Sequence, residues 1–295
     1  MLRAAIDSCL AQDAGDLSGC EILVVDNSPE GSARSAIEAR AGQGPIPIRY
    51  LPVPEPGIAR ARNAGVAAAL GQVIVFLDDD QVAASPHWLG AFLILARQGA
   101  KAVFGPIQPE FEGGSDGIPA GALRLFRRSL AADDGQDVSR FKAFLGSGNS
   151  LFERAGGFVT ATPFPSELDG LGGEDSEFIA GLTMRGLALV WANGALARER
   201  VPAARKTERS LEQRSFRNGQ IRSLVQSRSG CGSAPRVALW MGVGLAQAAL
   251  HGIGALVLAR LWPAASADLR VRAWGGLGKV LWMKRFWHIS CPAAV

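Results

Sequence analysis

An apolar run that ends in three consecutive carboxylates has the most evident chemistry in this sequence. The run covers residues 73–77, and Asp78, Asp79 and Asp80 follow it directly. Its richness in valine and isoleucine is typical of a strand buried on both faces of a parallel sheet. Ligands of open α/β sheets bind at the carboxyl ends of the strands, and adjacent carboxylates repel one another unless a cation holds them. The pattern therefore indicates a divalent metal site, with a solvated acidic turn as the alternative.

A second apolar run, residues 21–25, also ends in an acid, Asp26. Two strands that deliver acids to the same edge of a sheet suggest a nucleotide site with a metal ion. Between the two runs, Arg60 and Arg62 lie in the first turns of an alanine-rich stretch that is predicted to be helical, near the positive end of its dipole. We expect Arg62 to pair with phosphate oxygens and Arg60 to lie at the surface.

Alternating helices and strands must position these side chains. Helices are expected near residues 2–12, 32–41, 58–70 and 86–98, and strands near residues 21–25, 48–51, 73–77 and 101–104. This alternation is typical of a doubly wound α/β fold. Residues 106–146 are rich in glycine and charge, and we expect them to form mobile loops.

The composition argues against several other classes of protein. Only three histidines occur and the cysteines show no CxxC spacing, so a Ser-His-Asp hydrolase or a histidine-rich zinc site is disfavoured. No GxxxxGK[ST] phosphate loop is present, which argues against a P-loop kinase or ATPase. The formal net charge of +4 fits anionic lipid and diphosphate partners better than nucleic acid, for which no motif is found.

Six short motifs lie between residues 23 and 205, and they are specific as an ordered set although each is weak alone. They read LVVDNS from Leu23, GIARARNAG from Gly57, FLDDD from Phe76, GSGNSLFERAGGF from Gly146, LGGEDSEF from Leu171 and ERVPAAR from Glu199. With these motifs the chain resembles the family 2 glycosyltransferases. The resemblance implies the GT-A fold, a Rossmann-like α/β fold that binds nucleotide-diphospho-sugars.

The resemblance also implies roles for the residues of the donor site. Asp26 matches the acid that hydrogen-bonds the base of the nucleotide, and Arg62 matches the residue near the diphosphate. Asp78 matches the acid on the ribose side, and Asp80 matches a ligand of Mg²⁺ or Mn²⁺. Glu199 would be a second metal ligand, at a position where many relatives have histidine and others have glutamate.

On the acceptor side, Asp175 matches the base that deprotonates the acceptor hydroxyl, and its neighbour Glu174 is expected to contact the substrate. A base opposite the leaving group permits single displacement, which inverts the anomeric carbon. The residues by themselves also allow helix capping, because the two acids follow residues 172–173 (Gly-Gly) at the start of a helix predicted over residues 176–185.

The start of the sequence departs from the family pattern. Residues 1–12 match the first helix of the relatives and not the strand that precedes it. In the usual strand order, 3-2-1-4, that strand lies in the middle of the sheet, so strands 21–25 and 73–77 would have unpaired inner edges. We expect the natural chain to begin further upstream. The alternative is a genuinely smaller sheet.

The C-terminal region has the features of a membrane segment. Residues 237–259 carry no formal charge and are long enough to span a bilayer, with basic residues on both sides. A single span would put the more basic flank outside, against the positive-inside tendency. A re-entrant or interfacial helical hairpin keeps both flanks on the cytosolic side, and the tryptophans of this region suit an interface. The alternative is a buried helix of a soluble domain.

These observations predict a GT-A catalytic domain over residues 1–206, with a nucleotide-binding half (1–105) and an acceptor half (106–206), and a membrane-associated helical tail over residues 207–295. The predicted function is metal-dependent, inverting transfer of a sugar from a nucleotide-diphospho-sugar to a glycan or lipid-linked acceptor. The enzyme would work on the cytosolic side of the cytoplasmic membrane, in making exopolysaccharide or another surface glycan. Alternatives are a nucleotidyltransferase that makes the sugar nucleotide, or an inactive, truncated membrane-bound homologue.

Overall fold

The computed structural model describes residues 1–40, 42–44, 46–228 and 233–287. These residues form two compact units. The first unit consists of residues 1–109, 128–169 and 174–200, and the second consists of residues 110–127, 170–173 and the described residues from 201 onward. The division of the chain at residue 206 stays a prediction.

Helices and strands alternate through the first half of the chain, as predicted. The strands are β1 (Ile22–Asp26), β2 (Ile48–Pro52), β3 (Val73–Phe76), β4 (Gln81–Ala83), β5 (Ala102–Phe104), β6 (Ile107–Phe111), β7 (Ser150–Glu153), β8 (Val190–Trp191) and β9 (Ala197–Val201). The helices are α1 (Leu2–Leu10), α2 (Arg34–Glu38), α3 (Ile58–Ala68), α4 (Trp88–Arg97), α5 (Arg154–Gly157), α6 (Glu174–Met184), α7 (Glu208–Arg228), α8 (Ser233–Leu258) and α9 (Pro263–Val280).

The strands form three sheets. β1 pairs in parallel with β2, a four-stranded sheet has the order β3-β7-β5-β8, and a three-stranded sheet has the order β4-β9-β6. β7 lies between β3 and β5 and runs antiparallel to both. The expectation that strand 73–77 belongs to a purely parallel sheet is therefore wrong, because a strand from the second half of the chain inserts beside it.

β1 and β3 lie in different sheets, and no described residue forms a strand that pairs with both of them. β1 is bonded along one edge to β2, and β3 is bonded along one edge to β7. The expectation that the inner edges of strands 21–25 and 73–77 are unpaired, because a strand that precedes residue 1 lies between them, stays a prediction.

Two apolar clusters cover the opposite faces of the four-stranded sheet. Neighbouring residues of a strand point to opposite faces, so Phe104 and Phe152 lie in one cluster and Val103 and Leu151 in the other. The first cluster packs against side chains of α3 and α6, and the second against side chains of α4. This three-layer arrangement is the α/β architecture predicted from the sequence.

Aromatic packing fixes the end of β3 relative to the start of α6. The ring of Phe76, two residues before Asp78, lies edge-on to Phe152 with 6.0 Å between the ring centroids. Phe178, in the first turns of α6, lies 5.1 Å from Phe152 and 4.6 Å from Phe164. Interlocked aromatic pairs each stabilise a contact by roughly 1 kcal/mol beyond the area they bury. The acids at the two element ends are therefore carried by one rigid cluster.

Residues 106–146 are more ordered than the sequence suggested. They contain β6, two short 3₁₀ segments (Ala122–Leu125 and Ser139–Phe144) and the buried side chain of Arg128. The expectation of mobile loops is wrong for these parts. Glycine and charge are typical of solvated segments, but here Arg128 is hydrogen-bonded to backbone within the first unit.

In the second unit, α8 and α9 form an antiparallel helical hairpin that also packs on α7. Glycines let the backbones approach closely: a Cβ atom at Gly276 would lie 2.6 Å from the Gly244 carbonyl oxygen, and one at Gly278 would lie 2.0 Å from the Phe216 carbonyl oxygen. Such contacts between small residues are characteristic of helix packing in membranes.

The other side of α8 is apolar and exposed. α8 is long and apolar enough to cross a membrane, and only 11% of its most apolar 18-residue window is buried within the structure. The alternative expectation of a buried helix of a soluble domain is therefore wrong for this segment.

Candidate active site

Asp26, at the carboxyl end of β1, is held by the loop that follows it. One carboxylate oxygen accepts hydrogen bonds from the Ser28 amide (3.0 Å) and hydroxyl (2.7 Å), and the other accepts from the Ala33 amide (2.9 Å) and the Tyr50 hydroxyl (3.1 Å). Burial by itself would raise the pKa of Asp26, but these four donors outweigh it and hold the pKa below its ordinary value. Asp26 is therefore a fixed anion whose oxygens are already engaged by its own chain.

Asn27, the next residue, joins the end of β1 to the start of α3. Its amide nitrogen donates to the carbonyl oxygens of Val53 and Glu55, and its amide oxygen accepts a hydrogen bond from the Gly57 amide at 2.7 Å. Asp26 and the N-terminus of α3 are thus tied together by one side chain. Arg60, in the first turn of α3, lies at the surface as expected, beside Glu55 at 3.6 Å.

The N-terminus of α3 already has an anionic partner that sequence reasoning missed. Oδ1 of Asp169 accepts a hydrogen bond from the Ala59 amide at 2.7 Å, while Oδ2 is buried without a hydrogen-bond partner. A helix N-terminus favours anions because its first amides lack intrahelical acceptors and its dipole is positive there. Asp169 therefore occupies a place where a phosphate group would also be stabilised.

Arg62 lies among three of the predicted acids. Its guanidinium donates a short hydrogen bond to Glu174, which is buried at the start of α6, and lies 3.6 Å from Asp78. Burial opposes the charge of Arg62, but Asp78, Asp175 and Glu174 outweigh it and raise the pKa of Arg62. In this structure Arg62 is paired with carboxylates at the position where the resemblance places a diphosphate.

The carboxyl groups of Asp78 and Glu174 share a crowded, partly dehydrated environment. Burial, followed by the Asp80 and Asp175 carboxylates, raises the pKa of Asp78 against the opposing charges of Arg62 and Arg128. Burial and then Asp175 likewise raise the pKa of Glu174, against the opposing charge of Arg62. The predicted residues Arg62, Asp78, Glu174 and Asp175 therefore form one electrostatic cluster.

A glycine-rich turn, residues 146–148, lines this cluster. A Cβ atom at Gly148 would lie 2.2 Å from an Asp78 carboxylate oxygen, and one at Gly146 would lie 2.9 Å from Oδ2 of Asp175. The GSGN motif therefore brings bare backbone against both acids, which a larger residue could not do without moving them. Asp175 also accepts a hydrogen bond from the Ser176 amide at 2.7 Å, and thereby satisfies one of the first amides of α6, which lack intrahelical acceptors.

Asp80 and Glu199 lie on neighbouring segments of the first unit. The Asp80 carbonyl oxygen accepts a hydrogen bond from the Arg200 amide at 2.7 Å, and Glu199 is paired with Gln81 in the register of β4 and β9. Within the described ranges, no three or more His, Cys, Asp or Glu side chains lie close enough together to hold a metal ion by themselves. The metal-ligand roles of Asp80 and Glu199 stay predictions.

Arg128 is a buried cation of the site that sequence reasoning did not single out. Its side chain is almost fully buried, and burial lowers its pKa to about 10, against the opposing charges of Asp78, Asp175 and Glu199. It lies in the glycine-rich, charged segment that was expected to be loop, so its type and surroundings gave no signal. Its position depends on contacts that are distant in sequence.

Comparison with known proteins identifies the family. The model of glycosyl transferase family 2 matches residues 1–147, about half of the chain, and that segment includes Asp26, Arg62, Asp78, Asp80 and Arg128. The chain belongs to glycosyltransferase family 2. The family predicted from the sequence motifs is thereby confirmed.

Two curated proteins are similar to this chain in sequence. The glycosyltransferase is 28% identical over 251 residues to the succinoglycan biosynthesis protein ExoM of Rhizobium meliloti (strain 1021), an alignment that covers 81% of this chain and 76% of ExoM. It is 40% identical over 88 residues to an uncharacterized glycosyltransferase of Nostoc sp., covering 30% of this chain and 26% of that protein.

Solved structures show the fold. The mannosyltransferase PcManGT from Pyrobaculum calidifontis, solved with GDP-Man and Mn²⁺, matches with a TM-score of 0.60 at 19% identity, covering 96% of this chain and 84% of that chain. Residues 1–349 of S. aureus TarS, solved with UDP-GlcNAc, match with a TM-score of 0.52 at 16% identity, covering 92% and 85%. The GT-A fold expected from the sequence is confirmed by these likenesses.

Proposed function

We propose that this glycosyltransferase inverts the anomeric carbon as it transfers a sugar from a nucleotide-diphospho-sugar to a lipid-linked glycan, in exopolysaccharide biosynthesis. The clustering of Arg62, Asp78, Glu174 and Asp175 beside the glycine turn 146–148 carries this proposal. The similarity to the succinoglycan biosynthesis protein ExoM supports a role in exopolysaccharide biosynthesis, and the GDP-Man and UDP-GlcNAc bound in the solved neighbours support a nucleotide-sugar donor.

The chemistry needs one base and a stabilised leaving group. An acceptor hydroxyl oxygen attacks the anomeric carbon while the Asp175 carboxylate accepts its proton. The bond between the anomeric carbon and the diphosphate oxygen breaks, and the nucleoside diphosphate leaves with the electron pair. Attack from the side opposite the leaving group inverts the anomeric carbon.

Arg62 would exchange partners when the donor binds. In the structure it pairs with Glu174 and Asp78, which keep the guanidinium in place and charged. A diphosphate brings more negative charge and bidentate acceptor geometry to the same cation. Arg62 would then stabilise the charge that develops on the leaving diphosphate, where preorganised donors have the largest effect on rate.

Asp80 and Glu199 would hold a Mg²⁺ or Mn²⁺ ion. Carboxylate oxygens are the ligands these hard cations prefer, and Mg²⁺ is usually bound by one or two carboxylates together with substrate phosphates. A pair of carboxylates, rather than a complete protein cage, therefore fits a metal that arrives with the donor. When bound, the ion would neutralise charge on the diphosphate.

The second unit would attach the enzyme to the cytosolic face of the cytoplasmic membrane. The apolar face of α8 is exposed, and the close glycine contacts between α8 and α9 suit a hairpin packed in lipid. α8 is one continuous helix, so Arg236 and Arg260 lie at its opposite ends, and both basic flanks stay on the cytosolic side only if α8 lies along the membrane interface with its apolar face in lipid.

A transfer assay tests this function. Membranes that contain the full chain are incubated with UDP- and GDP-linked donors of labelled sugar, and the label that enters lipid-extractable glycan is measured. Asp80→Asn should remove most of the transfer while preserving the fold, because one ligand loses its charge at nearly constant shape. Asp79→Asn, the change at the adjacent acid to which no role is assigned, is the matched control. Full transfer by Asp80→Asn, or transfer undiminished in excess chelator, would contradict the metal role.

The alternatives expected from the sequence give different results in the same assay. A nucleotidyltransferase would produce a sugar nucleotide from a nucleoside triphosphate and a sugar phosphate, and the family match disfavours it. An inactive homologue would show no transfer with any donor.

A further inference from the structure

The guanidinium of Arg128 donates hydrogen bonds to three backbone carbonyl groups. Its Nε donates to the Gly105 carbonyl oxygen at 2.7 Å, one terminal nitrogen donates to the Gly146 carbonyl oxygen at 2.7 Å, and the other donates a short bond to the Asn149 carbonyl oxygen. The side chain is 6% exposed, so these acceptors replace water for a buried cation. Two of the three acceptors are the first and last residues of the turn 146–149.

Asn149 holds the same turn from the other end. It has a φ of +50°, in the left-handed region that is unusual for a residue other than glycine. Its side chain is fixed on both sides: the Trp88 indole donates to Oδ1 at 2.7 Å, and Nδ2 donates to the carbonyl oxygens of Pro106 (2.7 Å) and Ala195 (2.8 Å). A strained backbone persists only where its surroundings over-determine it, and these bonds do so here.

Turn 146–149 contacts two acids that have different proposed roles. Gly146 lies against Asp175, the proposed base, and Gly148 lies against Asp78, on the proposed donor side. A shift of the turn by a fraction of an ångström would therefore move both carboxylates.

We infer that Arg128, together with Asn149, is a positioning residue of the transfer reaction: it fixes turn 146–149 as the common support of Asp78 and Asp175. This inference rests on the proposed function for its kinetic consequences. Fixing the turn requires the planar geometry of the guanidinium as well as its positive charge. A lysine ammonium cannot bond three carbonyl groups that are spread around a planar guanidinium.

Arg154 provides a matched control within the same unit. Its guanidinium also donates to three backbone carbonyl oxygens, those of Val66, Ala69 and Gly71. These acceptors lie at the end of α3 and the start of β3, opposite the ends that carry Arg62 and Asp78. Arg154→Lys therefore removes the same kind of anchor without touching turn 146–149.

Comparison of Arg128→Lys and Arg154→Lys separates positioning from general stability. Both should lower the melting temperature, but only Arg128→Lys should lower kcat by about tenfold or more and raise KM for the donor, since misplacing a reacting group by about 1 Å can cost a hundredfold. Amide hydrogen exchange should rise in residues 146–149 for Arg128→Lys alone. Unchanged exchange there, or equal kinetic losses in the two variants, would overturn the inference.

Substitutions of Gly146 and Gly148 test the support role of turn 146–149 in variants that keep Arg128. Gly146→Ala should lower kcat, because its Cβ atom presses on Asp175, and Gly148→Ala should mainly raise KM for the donor, because its Cβ atom presses on Asp78. The same kcat and KM as in the wild type for both would overturn the support role. Absence of transfer by the wild-type chain would instead contradict the proposed function, and the hydrogen-exchange result would still decide the role of Arg128.

Discussion

At the scale of single residues, the arrangement of charges decides what each acid can do. The sequence motifs drew attention to Asp78, Glu174 and Asp175, which share one electrostatic cluster with Arg62 in the structure, and their roles stay predictions. They could not reveal Arg128 or Asp169, because these residues act through partners far away in the chain: Arg128 on the carbonyl of Gly105 and Asp169 on the amide of Ala59. Residue type predicts chemistry, whereas long-range hydrogen bonds become visible only in the fold.

Asp175→Asn tests whether this acid is a base or only a helix cap. Asparagine still caps a helix but cannot accept the proton, so donor binding should survive while transfer falls by about a hundredfold or more. Glu177→Gln removes one charge from the same first turn of α6 and serves as the control. Equal losses of stability and transfer in the two variants would support capping alone. Donor binding is measured by calorimetry and transfer with labelled donor.

At the scale of elements, prediction depended on apolar runs rather than on the length of a strand. The expected strands near 73–77 and 101–104 became β3 and β5, which have only four and three residues, because all of these residues are apolar. β4, β6 and β9 contain polar or charged residues, and β8 has only two residues, so these four strands were not predicted. The antiparallel insertion of β7 between β3 and β5 follows from tertiary pairing and leaves no local signal.

Glycine packing between α8 and α9 leads to a prediction at this scale. Gly276→Ala should destabilise the hairpin by roughly 1–3 kcal/mol, because its Cβ atom would lie 2.6 Å from the Gly244 carbonyl oxygen. Gly252→Ala, in α8, meets no atom within 4 Å and should be neutral or stabilising by up to about 1 kcal/mol, since alanine favours helix. Thermal melts in detergent measure both. A Gly276→Ala melt at the wild-type temperature would contradict the close packing.

At the scale of the whole molecule, an exposed apolar helix requires a partner, and lipid fits its composition. Leu250 is 71% exposed and Val257 is 67% exposed on α8. An aspartate within a bilayer costs about 2.5–3.5 kcal/mol, so Leu250→Asp with Val257→Asp should reduce binding to anionic vesicles by more than about tenfold. Ile94→Asp, on the exposed side of α4, is the control and should leave binding unchanged. Undiminished flotation of the double variant with vesicles would contradict membrane attachment through α8.

The most direct test of the account is the anomeric configuration of the product. A donor with an α-linked sugar is incubated with the full chain in membranes, and the new linkage is read from the proton coupling of the anomeric carbon by NMR. Single displacement with Asp175 as the base predicts a β-linked product. An α-linked product would contradict the proposed mechanism, because retention requires a different course of reaction.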